Sequence, residues 1–269
     1  MGVMKDLHGP VLWRVEDGVG HIILNRPDGA NALDSATAQA FGRAVEHAMC
    51  ADIGAVLISS VGKQFCAGGD IREFVERRAE LDRLVQALLD VLHPAMHALA
   101  TLPLPVISAV QGPLGGAGIA VALCADIVLA SGAMKLRGGY SAIGLSPDLG
   151  ASFYLARRAG AARAKYVLMT NRTIGADQCL RWGLVDELHP PDALADAARQ
   201  LAVDLARGAS AALGGIKRLC DGAPAHDLRT HLELERQALL RCTVSADGRE
   251  GVSAFVEKRR PQFTDKRLP

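Results

Sequence analysis

Apolar positions along this chain keep two different spacings. Residues 11–15 and 21–25 are short, largely apolar runs on either side of Asp17-Gly18, a turn pair, and read as a hairpin. Residues 55–59 and 106–110 are apolar and rich in β-branched side chains, which predicts buried strands. Further strands are expected at 127–130, 134–136 and 184–188. Between these runs the spacing changes to three and four. Ala38, Phe41, Ala44, Val45 and Ala48 share one helical face behind a cap at Asp34 or Ser35. Leu81, Leu84, Val85, Leu88, Leu89 and Leu92 make a longer stripe, after which Pro94 should start a new turn or kink the helix. Short helices follow at 151–159, 161–169 and 176–182. From Asp192 onward only helices are predicted, at 192–206, 210–220, 227–242 and 249–260. Alternation followed by helices alone predicts an α/β core, residues 1–205, and a helical C-terminal region, residues 206–269.

Composition narrows the class. The 269 residues are 49% hydrophobic but only 4% aromatic, so the core is aliphatic. A formal charge of +1 gives no global field to attract nucleic acid or an anionic membrane. The six cysteines are scattered without a C-x-x-C pair, as expected of reduced thiols in the cytoplasm. The first ten residues lack the apolar core of a secretory leader, and no stretch reaches the ~18 apolar residues of a membrane span. A soluble cytoplasmic protein is expected. Neither an internal repeat nor a low-complexity segment interrupts the chain.

The candidate chemistry centres on residues 105–126, PVISAVQGPLGGAGIAVALCAD. The strand at 106–110 is broken by Gln111, Gly112 and Pro113, and a helix of small residues, Ala117–Leu123, starts after Gly115 and Gly116. Such a turn leaves N–H groups without helical partners, at the positive end of the helix dipole. They suit an anion or a developing oxyanion. Close packing alone would also explain the glycines, and this stretch by itself leaves both readings open. A second glycine turn, FCAGGDI, occupies residues 65–71. Familiar alternatives fail: a G-x-G-x-x-G match begun at Gly116 meets Val121 at its last position, and neither H-E-x-x-H nor G-x-S-x-G occurs. His93 and His97 are four apart, but no third ligand accompanies them, so a polar or core-edge role is expected.

Taken together, FCAGGDI, the 105–126 stretch, the loop NRPDGANALD and the C-terminal REGVSAFVEKRR resemble the crotonase, or enoyl-CoA hydratase/isomerase, superfamily along essentially the whole chain. The resemblance implies a spiral of ββα units with a C-terminal helical trimerisation region. It implies an acyl-CoA substrate, a homotrimer or hexamer, and no cofactor beyond the coenzyme A that the substrate carries. It assigns the N–H groups of Gly69 and Ala117 to the thioester oxygen. Coenzyme A binding falls to Ala67, Gly68, Gly69, Asp70, Ile71 and Arg72, with Ala117, Tyr140, Phe255 and Lys258 contributing.

The chain departs from the hydratases of that superfamily in one respect. Where they carry two glutamates, it has Ala120 and Tyr140. The acid left is Asp148, at a position where the resemblance implies the proton-transferring carboxylate of isomerases in fatty or aromatic acid degradation. The tail SADGREGVSAFVEKRRPQFT is also similar to that of the ring-epoxide phenylacetyl-CoA isomerases. In 4-chlorobenzoyl-CoA dehalogenase-like members the same position holds a nucleophilic aspartate, with a histidine matching His93 and an aromatic matching Tyr140. Double-bond isomerisation by Asp148 is therefore the expected activity. Three alternatives stand beside it: hydration despite the missing glutamates, dehalogenase- or hydrolase-type chemistry with Asp148 as nucleophile, and silent acyl-CoA binding.

Overall fold

The computed structural model describes residues 8–264. Residues 1–7 of the ten read as lacking a leader, and residues 265–269 of the C-terminal region, lie outside them. Strands β1 (Val11–Glu16) and β2 (Val19–Leu24) form the expected hairpin. Asp17 and Gly18 both have positive φ, 52° and 78°, as a two-residue turn matched to strand twist requires. Parallel strands β3 (Ala55–Ser60), β4 (Val106–Val110) and β6 (Ile127–Ser131) follow across the sheet. The sixth member of the sheet, β9 (Glu187–His189), pairs with β6.

Because side chains alternate across a strand, the sheet has two apolar faces. Ile22, Leu24, Val56, Ile58, Val106 and Val128 face the large core, which includes α1 (Ser35–Cys50) and α3 (Leu81–Thr101). Val19, Ala55, Leu57, Ile107, Ala109 and Leu129 face the other way, against Leu194, Ala198 and Ala202 of α8 (Leu194–Ala206). Burial on both sides explains why these strands read as continuous apolar runs.

A smaller sheet of β5 (Leu114–Gly115), β7 (Lys135–Arg137) and β8 (Ile174–Gly175) lies beside the first. Isolated parallel bridges extend it: Leu33 pairs with Gly69, and Cys66 with Leu114. Segments 30–33, 66–70, 114–116 and 136–138 are thereby laid edge to edge. The bonds run from Ala67 N–H to Ala30 O (3.0 Å), from Gly115 N–H to Cys66 O (3.0 Å) and from Gly116 N–H to Gly138 O (3.0 Å).

Three expectations are corrected. The helix α2 (Ile71–Glu76) was absent from the sequence reading, although Asp70 caps it by accepting from Arg72 N–H at 2.9 Å. Pro94 starts no new helix, because α3 runs through it to Thr101. One lost backbone bond is outweighed there by the buried stripe Leu84, Leu88, Leu92, Met96 and Leu99. The final strand is β9, three residues later than the start expected at Leu184; Leu184 and Val185 are buried in the core ahead of it.

Helices α4 (Ala117–Leu123), α5 (Ala151–Ala159), α6 (Ala161–Thr170) and α7 (Ala176–Arg181) fall where expected. C-terminal helices α9 (Ser210–Gly222), α10 (Leu228–Val244) and α11 (Ala246–Glu257) follow α8. Lys217 ties α9 to the core through an ion pair with Asp126 at 2.9 Å. Among the described residues no helix is long and apolar enough to cross a membrane.

Candidate active site

A cavity of about 540 Å³ opens where the glycine turns meet. Ala67, Gly69, Ile71, Ala117, Tyr140 and Asp148 line it, so six of the residues singled out from sequence converge there.

Backbone pairing sets the direction of the Gly69 N–H. Leu33 N–H donates to Gly68 O at 2.7 Å, and Leu33 O accepts from Asp70 N–H at 3.2 Å. Successive peptide groups in an extended chain point to opposite sides, so the N–H of Gly69 is directed away from Leu33, on the cavity side. Ala117 is the first residue of α4, and its N–H has no place in the helical ladder. Among the described residues, neither N–H has a backbone acceptor.

Gly68 allows the two turns to touch. Its φ is +97°, and a Cβ there would lie 2.9 Å from Gly115 O and 3.1 Å from Ala117 N. Gly118 likewise presses on the backbone of Cys66, with a would-be Cβ against Cys66 O and 3.0 Å from its carbonyl carbon. The glycines thus bring two free N–H groups to one cavity, which joins the packing and anion readings of the sequence.

Asp148 is a carboxylic acid in the cavity lining. Its Oδ1 accepts from the Tyr140 hydroxyl at 2.6 Å. Burial pushes its carboxyl above the ordinary range, against the lowering effects of the Tyr140 bond and of His93. Burial also pushes the Tyr140 phenol upward, so it stays a proton donor at any working pH. Behind the turn, burial raises the Cys66 thiol to about 12, which keeps it neutral.

Other residues implied by resemblance sit elsewhere. Gly68 and Asp70 support the loop from behind; Asp70 is buried and paired with Arg26 at 2.6 Å. Arg72 is exposed in the first turn of α2. His93 is exposed and does not line the cavity, although it lies one turn beyond Leu89 on the Val85–Leu89 stripe that does. Phe255 is exposed on α11 and Lys258 closes that helix in the left-handed region; neither lines the cavity. Ala120 is fully buried within α4, outside the lining.

The sequence reading missed part of the wall. Phe74 from α2, Arg137 and Asn171 also line the cavity. Arg137 Nε donates to Asn171 O at 3.2 Å, and Asn171 Oδ1 accepts from Gly139 N–H at 2.6 Å. The pattern Asp70-x-x-Glu73 resembles a capping box and could have placed α2, and with it Phe74. Among the described residues no three His, Cys, Asp or Glu side chains gather as a metal set.

A cavity offering two free N–H groups and one raised carboxylic acid can hold a carbonyl oxygen as it gains charge and move a proton beside it. Comparison with solved structures gives the class. The enoyl-CoA hydratase from Polaromonas sp. JS666 superposes with a TM-score of 0.87 at 32% identity, covering 97% of this chain and 99% of that one. The architecture is therefore the crotonase fold. The sequence model of the enoyl-CoA hydratase/isomerase family matches residues 14–266, and the chain belongs to that family, which acts on acyl-CoA thioesters. A 1,2-epoxyphenylacetyl-CoA isomerase of Escherichia coli (strain K12) is 37% identical over 258 residues, 95% of this chain and 98% of the relative. A trans-2-decenoyl-acyl-carrier-protein isomerase of Streptococcus mutans is 30% identical over 260 residues, again 95% and 98%.

Proposed function

We propose that this protein is an enoyl-CoA isomerase. The N–H groups of Gly69 and Ala117 bind the thioester oxygen, and Asp148 carries the proton. The ionised carboxylate of Asp148 takes a proton from C2 of a 3-enoyl thioester; the C–H electron pair becomes the C1–C2 double bond of a dienolate, conjugated with the intact C3–C4 double bond, and the carbonyl π pair moves onto the thioester oxygen. The charge on the thioester oxygen rests on the two N–H donors; one such donor is worth ~10²–10³ in rate. The protonated Asp148 then returns the proton to C4, leaving the double bond between C2 and C3. Donor and acceptor of the proton are the same group, so one carboxyl closes the cycle. The reaction consumes no redox equivalent and needs no cofactor beyond the coenzyme A of the substrate.

The observation that carries the reading is that Asp148 is the carboxylic acid lining the cavity, while the hydratase glutamate positions hold Ala120, buried outside it, and Tyr140. Addition of water ordinarily calls on an acid and a base together. Chemistry with Asp148 as nucleophile and His93 activating water stands second, because His93 is felt at Asp148 but does not line the cavity.

A panel of acyl-CoA thioesters followed by mass spectrometry tests the assignment. Isomerisation leaves the mass unchanged, hydration adds one water, and hydrolysis releases free coenzyme A. We expect turnover of 3-enoyl substrates without change of mass; product heavier by one water as the main outcome would contradict the reading. In assembly we propose a homotrimer or hexamer in the cytoplasm.

A further inference from the structure

The geometry points to Tyr140 as a positioning residue: its hydroxyl holds Oδ1 of Asp148, so that Oδ2 alone is presented to the acyl chain. The consequence for catalysis rests on the isomerase reading; the hydrogen bond itself does not.

Tyr140 is the fixed member of the pair. It is 7% exposed and opens the short turn Tyr140–Ile143. That turn is tied to the end of α6 by Ser141 Oγ donating to Leu168 O at 2.9 Å. The residue before it, Gly139, is held by Asn171 Oδ1 at 2.6 Å. Asp148, by contrast, ends a loop whose residues from Ser141 to Ser146 are all exposed. Tyr140 supplies the side-chain hydrogen bond to Asp148, beside one from the backbone N–H of Asp148 itself, so removing the hydroxyl leaves only that local contact to orient the carboxylate.

A proton shuttle makes that control matter. One oxygen must reach both C2 and C4 on the same face of the acyl chain. A carboxylate free to rotate would present either oxygen at a range of distances, and small misplacements lower the rate. Tyr140 also acts on the proton affinity of Asp148. Burial favours the neutral acid, whereas a hydroxyl donated to the carboxylate favours the ion. The other titratable groups acting on this site are His93 from α3, which favours the ion, and the neutral Cys66 thiol behind the turn; Arg137 lines the same cavity at the end of β7.

Tyr140→Phe keeps the ring and removes the bond. In the ligand-free protein, ¹³C titration of the Asp148 carboxyl should move upward by about one pH unit, the size expected for one hydrogen bond to a charged group. In the 3-enoyl-CoA assay the acid limb of the kcat/KM profile should move up by the same amount. At neutral pH kcat should fall about tenfold with KM within about twofold. A merely structural role would lower thermal stability without moving either titration. Should the phenylalanine variant not fold, 3-fluorotyrosine placed at 140, a stronger donor, should move the carboxyl titration downward. Coincident titrations in wild type and variant would overturn the inference. A shifted carboxyl titration in a protein that turns over no 3-enoyl-CoA would uphold the Tyr140 contact and remove the isomerase reading.

Discussion

Arg26 Nη1 lies 2.6 Å from Asp70 Oδ2, joining the loop after β2 to the residue that follows Gly69. The same guanidinium reaches Asp34 at 3.3 Å and donates to Ala32 O at 3.2 Å. Burial alone would raise the Asp70 carboxyl, but the bonds from Arg26 and from Arg72 N–H outweigh it and hold the group below its usual range. A carboxyl lowered in the folded state contributes stability that is present above the unfolded value of about 3.9 and lost as pH falls through the folded one. Arg26→Met should therefore cost about 2 kcal/mol at pH 7, as expected for a buried carboxylate left without its cation, and less in acid. Urea unfolding at pH 7 and pH 3.5 measures both. An equal loss at the two pH values would show that the ion pair is not the cause.

Gly68 makes a separate prediction. With φ at +97° and a would-be Cβ against Gly115 O and Ala117 N, alanine there faces both backbone strain and backbone contact. Gly68→Ala should cost ~1–3 kcal/mol and part the two turns. Activity should fall further than the loss of folded protein explains, measured as kcat per folded molecule. Unchanged kcat in a destabilised variant would separate the turn from the site.

The C-terminal helices carry large apolar side chains in water, among them Leu228, Leu239, Val252 and Phe255. Several lie on neighbouring helices, which makes a patch that needs covering. Light scattering should give a trimer or hexamer at micromolar protein, and the pair Leu239→Glu with Phe255→Glu should lower the assembly state. A monomeric wild type would contradict the assignment of these helices to an interface.

Much of the fold was legible because its signals are local. Asp17-Gly18 fixes the first hairpin. Asp34 caps α1 by accepting from Thr37 N–H at 2.7 Å, and all five apolar positions read along that helix are buried. The elements that escaped are the ones that depend on distant partners. Strands β5 and β8 are two residues long and take their place as strands through their pairing with β7, with β5 also bridged to Cys66. Helix α2 has six residues, too few for a period to show, and Ile71 and Val75 on it are exposed. In the site, the glycine turns showed in the local pattern, whereas Asp148 was singled out only by the family resemblance. The convergence of Phe74, Arg137 and Asn171 did not show, because they come from three segments that nothing in their local pattern connects.

Asp148 should cost stability where it is useful. A carboxyl raised by burial contributes stability that is complete below the unfolded value and lost as pH rises through the folded one. At neutral pH its ionised form is a strain on the fold. Asp148→Asn keeps an oxygen for the Tyr140 hydroxyl and removes the charge, so its Tm should exceed that of wild type at pH 7–8 and approach it near pH 4. Calorimetry across that range checks the sign. A lower Tm at pH 8 would mean that the contacts favouring the ion, from Tyr140, the backbone and His93, outweigh its burial.

The most direct test of proton transfer by Asp148 is the rate at which wild type and Asp148→Asn convert a 3-enoyl-CoA to its 2-enoyl isomer. We expect a fall of ~10²–10⁴ in kcat, the share of general acid–base catalysis, with KM little changed because the proposed oxyanion donors are backbone groups of Gly69 and Ala117. The same preparation of wild type should hydrate a 2-enoyl-CoA slowly. Rapid hydration by the wild type, left intact by Asp148→Asn, would contradict the account.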